Sequence, residues 1–142
     1  VLVTIAAAFG VGTALENSGA ATAIAKTLVE LTQAGGPIAA LAAIYLVGSI
    51  LTELITNNAA AVLMFPFCLE TARLYNADPR PFLIALILSA SASFMTPIGY
   101  QTNMMVYGPG GYRFSDFLRI GGPLNLILAV VAVVLIPLLW PF

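Results

Sequence analysis

The sequence has 142 residues, of which 61% are hydrophobic and 8% charged, with a net charge of -1. Charge this sparse cannot cover a water-facing surface, and without a basic excess there is no footprint for nucleic acid. The absence of histidine removes Ser-His-Asp, Cys-His and histidine-ligated metal sites together, and the lone Cys68 excludes an internal disulfide.

The chain opens at Val1, already inside an apolar run and without a charged leader, so it reads as a piece of something longer. That run extends to Glu16 and breaks at Asn17-Ser18-Gly19. Residues 19–33 place Ile24, Leu28 and Leu31 on one face and Lys26, Glu30 and Gln33 elsewhere. The pattern suits an amphipathic helix lying along the interface or linking two bodies or, equally, the end of the first span. Gly10 and Gly12 follow no strand, so they suit close helix packing rather than a nucleotide loop.

Ala34-Gly35-Gly36-Pro37 is a turn that starts the next helix. From Leu31 to Leu69 the only charge is Glu53, and Thr56-Asn57-Asn58 interrupts the run. This stretch is too long for one span of about 20 residues. It is either two spans joined by a tight turn or a re-entrant hairpin over 37–74 with its tip at membrane depth. The second requires the freed backbone groups to face protein or a wet cavity.

After the polar loop 75–81 a second apolar run passes through Ser89, Ser91 and Ser93, read as packing residues. It meets Thr96-Pro97-Ile98-Gly99-Tyr100-Gln101-Thr102-Asn103. A polar, charge-free octet holding both Pro and Gly predicts a discontinuous helix over 82–107. Residues 112–119 read as a short interfacial piece, and Gly121-Gly122-Pro123 opens a final span over 123–140 that closes at Trp140.

Both interruptions offer Thr, Asn and backbone oxygens without a fixed charge, which suits a small cation. Each restarting helix points its positive end into the gap, which suits an anion. Cation and anion can thus sit side by side near the midplane. A divalent metal would need acid clusters, which neither break has. Cys68 reads as a small apolar filler. Glu53, beside the first break, reads either as an acid taking part in ion coupling or, preferred, as a structural acid.

Thr52-Glu53-Leu54-Ile55-Thr56-Asn57-Asn58-Ala59, running on to Phe65-Pro66, resembles the second hairpin motif of the divalent anion:sodium symporters, part of a superfamily with citrate-transporter-like domains. Met95-Thr96-Pro97-Ile98-Gly99 and Thr102-Asn103 resemble that family's later broken helix. The wording through Tyr107-Gly108-Pro109-Gly110-Gly111-Tyr112-Arg113-Phe114-Ser115-Asp116 is most similar to bacterial permeases that also carry soluble regulatory domains. The chain departs from the family's Ser-Asn-Thr at Thr56-Asn57-Asn58, and Gln101-Thr102 replaces a Pro-rich stretch.

The resemblance implies an all-α integral membrane fold, the C-terminal half of a transporter built from a re-entrant hairpin and a discontinuous helix. It implies secondary transport of a small anion, sulfate or a dicarboxylate, coupled to a cation, Na+, with no other cofactor and no enzyme activity. Substrate and cation would be held by Thr56, Asn57, Asn58, Thr96, Pro97, Gly99, Thr102 and Asn103, with Na+ at Thr56, Asn57 and Gly99. The partners would be membrane lipid, the protein's own N-terminal repeat and a second copy in a homodimer. The setting would be multi-pass, in a bacterial inner membrane. A non-transporting membrane subunit or scaffold is the competing reading.

Overall fold

The structure, a computed structural model, describes residues 2–142; Val1, read above as part of the first apolar run, lies outside the described residues. These residues form seven α-helices and a single 3-10 turn, with no strand among them: α1 (Leu2–Asn17), α2 (Ala20–Thr32), α3 (Gly36–Leu54), α4 (Asn57–Tyr75), α5 (Pro79–Ser91), α6 (Gln101–Tyr107) and α7 (Phe114–Leu139). Two helical stretches, Ala20–Leu54 and Phe114–Leu139, contain segments long and apolar enough to cross a membrane.

The helix ends follow local chemistry. Gly36 sits at φ 62°, a conformation that costs glycine little, and Pro37 then begins α3 in the first helical turn. Asn76 closes α4 in the left-handed region at φ 52°, and the Ala77 amide reaches back to the Ala72 carbonyl at 3.0 Å. Asp78 caps α5 by accepting from the Arg80 amide at 2.8 Å, with Pro79 at the first helical position.

The core is one apolar cluster shared by α3, α4, α5 and α7, centred on Leu41, Ile44, Tyr45, Met64, Phe82 and Leu86. Cys68 is buried in it as an apolar filler. Gly48 lets α3 approach α5 closely, since a Cβ there would overlap the Ser89 hydroxyl. Outside this cluster α3, α5 and α7 present large exposed apolar side chains, among them Ile50, Ile87, Leu126 and Leu138, a surface suited to lipid or to further protein.

Four elements differ from the sequence reading. The second break is longer and earlier, spanning residues 92–100 between α5 and α6. Thr102 and Asn103 therefore lie on α6 rather than in the gap. The final helix begins at Phe114 and runs through Pro123, so 112–119 is not a separate interfacial piece. An Asp116 carboxylate that accepts from the Arg113 amide at 2.7 Å starts this helix early. Proline removes one helical bond and is accommodated where packing holds the helix: Gly121, two residues before Pro123, is buried against residues 94 and 95.

The buried face of α2 is Ala21 and Ala25, whereas Ile24 and Leu31 are exposed. The helix packs on α4, bridged by Thr22 Oγ1 to Glu70 at 3.3 Å and Thr32 to Tyr75 at 2.9 Å. It is thus docked, not simply the end of α1. Gly12 is buried where α1 packs on α4, whereas Gly10 is exposed; nothing lies within 4 Å of a Cβ added at either, so neither position requires glycine for the approach.

Candidate functional site

The gap between α3 and α4 is two residues, Ile55 and Thr56. Thr56 caps α4, its hydroxyl accepting from the Ala59 amide at 3.4 Å and its carbonyl from the Ala60 amide at 2.9 Å. Asn57 and Asn58 are the first residues of α4, so their amides have no partner within the helix. Asn57 turns its side chain back to α3, where Thr52 Oγ1 lies 2.8 Å from Asn57 Oδ1. Asn58 is exposed.

The second break is tied to the first by two neighbouring side chains of α3. Thr52 Oγ1 shares its proton between Asn57 and the Ala90 carbonyl at 2.7 Å, at the point where α5 unwinds. Glu53, only 4% exposed, accepts from the Met95 amide at 2.8 Å and the Thr96 amide at 2.9 Å. The Thr96 hydroxyl donates to it at 2.7 Å. The backbone donors freed by the unwinding of 92–100 are in this way met by a carboxylate instead of water. Ser93 Oγ adds a contact to the Thr52 carbonyl at 3.3 Å, so it does more than pack.

Asn103 closes the loop from the other end. Its amide nitrogen donates to the Ser93 carbonyl at 3.0 Å and the Thr96 carbonyl at 3.1 Å, holding α6 against the unwound segment. Gly99 is buried directly over Glu53: a Cβ there would overlap Ser93 Oγ and approach Glu53 Oε2 to 2.7 Å. Its amide donates to Thr96 Oγ1 at 3.0 Å. Pro97 is buried, and Thr102 is exposed.

The eight residues singled out from the sequence therefore divide. Thr56 and Asn57 sit at the first break, and Thr96, Pro97 and Gly99 in the second. The side chains of Thr96 and Asn103 are engaged in holding the unwound chain. Asn58 and Thr102 point away from the hydrogen-bond network. Glu53, read from the sequence as a structural acid, acts as one by accepting from Met95 and Thr96. Two contributors were passed over: Thr52, which supplies the bridge with Glu53, and Asn125 on α7, which donates to Ser49 Oγ at 3.3 Å and to Glu53 Oε1 at 3.4 Å. Asn125 is the only polar side chain between Gly122 and Trp140, and that isolation in an apolar span was the available signal.

Electrostatically, the site combines one buried acid, unwound carbonyls and the N-terminus of the 19-residue α4. α6 has only seven residues, so the stronger helix dipole is that of α4. Hard, neutral oxygens for a cation and orphan amides for an anion lie in the same small region.

An all-helical membrane protein with two facing helix interruptions is the class that this architecture defines. The model of the sodium:sulfate symporter transmembrane region matches residues 1–142, and the chain belongs to that family. A transporter of Synechocystis sp. is 44% identical over 99% of this chain. The sodium/sulfate cotransporter 1 of Chlamydomonas reinhardtii is 43% identical over 93%. The sodium-dependent dicarboxylate transporter of Staphylococcus saprophyticus is 26% identical over 94%. The chain spans 23%, 15% and 26% of the length of these three relatives.

Proposed function

We propose that this chain forms half of the membrane domain of a secondary transporter that couples Na+ to the movement of a small anion, sulfate or a dicarboxylate. The relatives named for sodium with sulfate, and for a dicarboxylate, support those two anion classes. The observation that carries the reading is the joining of the two helix breaks through Thr52 and Glu53, which supports one site shared by both.

In this reading α3 and α4 are a re-entrant hairpin over 37–74, and α5 with α6 is a discontinuous helix over 82–107. Na+ lies between Thr56, Asn57 and Gly99, using carbonyl and side-chain oxygens. The anion is held at the start of α4 by the amides and side chains of Asn57 and Asn58, with Thr96, Pro97, Thr102 and Asn103 shaping the opposite wall. The bound cation adds positive charge beside the anion, so each ligand raises the affinity of the other. A second half with its own Asn-bearing break completes the domain. The assembly is a multi-pass homodimer in the cell membrane, its exposed apolar helices meeting lipid, the other half or the second copy.

The test is uptake by proteoliposomes of the intact transporter across a panel of sulfate and dicarboxylates. Accumulation of one of these anions supports the reading. A protein that moves none of them, in either direction, removes it.

A further inference from the structure

Behind the breaks, where α3 faces α7, lies a second set of oxygens that shares Glu53 with the site above. Ser49 and Glu53 stand one turn apart on α3, and Asn125 faces them from α7; all three are buried. Ser49 Oγ is 3.4 Å from the Ala92 carbonyl. The Asn125 amide nitrogen is 3.3 Å from Ser49 Oγ and 3.4 Å from Glu53 Oε1. These contacts are long for hydrogen bonds, whereas those from Met95 and Thr96 to the same carboxylate are 2.7 to 2.9 Å. Asn125 Oδ1 is buried without a partner, a costly arrangement. Among the described residues no Lys or Arg pairs with Glu53; the ion pair found there is Arg73 with Glu70.

We propose that Ser49, Glu53, Asn125 and the Ala92 carbonyl form a cation site separate from the Thr56–Asn57–Gly99 position. It takes a small, hard monovalent ion, and the choice of Na+ rests on the transport reading above. One carboxylate balances one positive charge, and the other donors are neutral oxygens; a divalent ion would call for more acids. Two oxygens at right angles around an ion with bonds of about 2.4 Å lie about 3.4 Å apart. The Ser49 Oγ–Ala92 carbonyl pair has that spacing at 3.4 Å, and the Asn125 amide nitrogen, at 3.3 and 3.4 Å from Ser49 Oγ and Glu53 Oε1, holds the position that Oδ1 takes when the amide is turned.

The Asn125 amide supplies the switch. Turned end for end, it presents Oδ1 to Ser49 and Glu53; against the Glu53 carboxylate this is repulsive by itself and favourable with a cation between them. The ion also neutralises a buried charge that otherwise depends on hydrogen bonds alone.

The experiment is thermal melting of the intact transporter in detergent against Na+, with choline holding ionic strength constant and no anion added. It is done on an Asn57→Ala background, which disables the other position. The proposal expects a saturable Na+ stabilisation to survive Asn57→Ala. Adding Asn125→Leu or Ser49→Ala then moves its midpoint at least tenfold higher in Na+. It is overturned if Asn57→Ala alone abolishes the Na+ response, or if the response survives both second substitutions unchanged. Should Asn125→Leu fail to fold, Ser49→Ala decides. No step depends on uptake, so a failure of the transport reading is seen separately.

Discussion

Glu53 Oε2 accepts hydrogen bonds from both the amide and the hydroxyl of Thr96, at 2.9 and 2.7 Å, so the last turn of α3 holds the unwound segment that follows α5. The broken helix is thereby set by a side chain of the hairpin, and the two interruptions are mechanically one unit.

Glu53→Gln keeps the size of the side chain but turns an acceptor pair into one acceptor and one donor. One end then opposes an N–H of Met95 or Thr96. The expected cost is about 1–3 kcal/mol for a buried donor left unmatched. It should appear as a lowered melting temperature of the intact transporter in detergent. A melting temperature equal to that of the unsubstituted protein would mean that the carboxylate does not hold this segment.

Gly121 and Gly122 give a paired test of how closely α7 backs the unwound segment. A Cβ at Gly121 would overlap the Phe94 carbonyl, while nothing lies within 4 Å of one at Gly122. Backbone cannot rotate away as a side chain can. Gly121→Ala should therefore destabilise by about 1–3 kcal/mol, and Gly122→Ala should be neutral or slightly stabilising within a helix. Melting curves of the two variants side by side check the contrast, and equal effects would contradict the packing.

Asn103→Ala removes both donors that bind the Ser93 and Thr96 carbonyls. The unwound chain should then open more often, with faster hydrogen–deuterium exchange confined to about residues 93–99. Exchange that stays unchanged there would show that α6 does not brace the segment.

Much of this arrangement is legible in the sequence, for identifiable reasons. Asn57 and Pro97 stand out because polar or helix-breaking groups inside apolar runs need a special explanation. The bridge is less legible. Glu53 is visible as a rare acid, but its partners Met95 and Thr96 lie more than forty residues away, and no local pattern encodes that pairing. The extent of the second break was misjudged for a related reason. Ala92, Ser93 and Phe94 look helical by composition, yet they unwind because Glu53 and Asn103 satisfy their neighbours' backbone groups. Conversely, Pro123 looked like a helix start, and packing of Gly121 on Phe94 carries the helix straight through it.

The measurement that bears most directly on the central claim is anion uptake against Na+ concentration in proteoliposomes, for the intact transporter and for Asn57→Ala. In the proposed site Asn57 gives the cation its side-chain oxygen, so its loss would leave the cation short of a ligand and deprive the anion of the charge beside it. The account predicts uptake that needs Na+, with the Na+ requirement and the anion half-saturation of Asn57→Ala both raised about tenfold or more, a change worth on the order of 1–3 kcal/mol. Uptake by Asn57→Ala with unchanged Na+ dependence and unchanged anion affinity would contradict it.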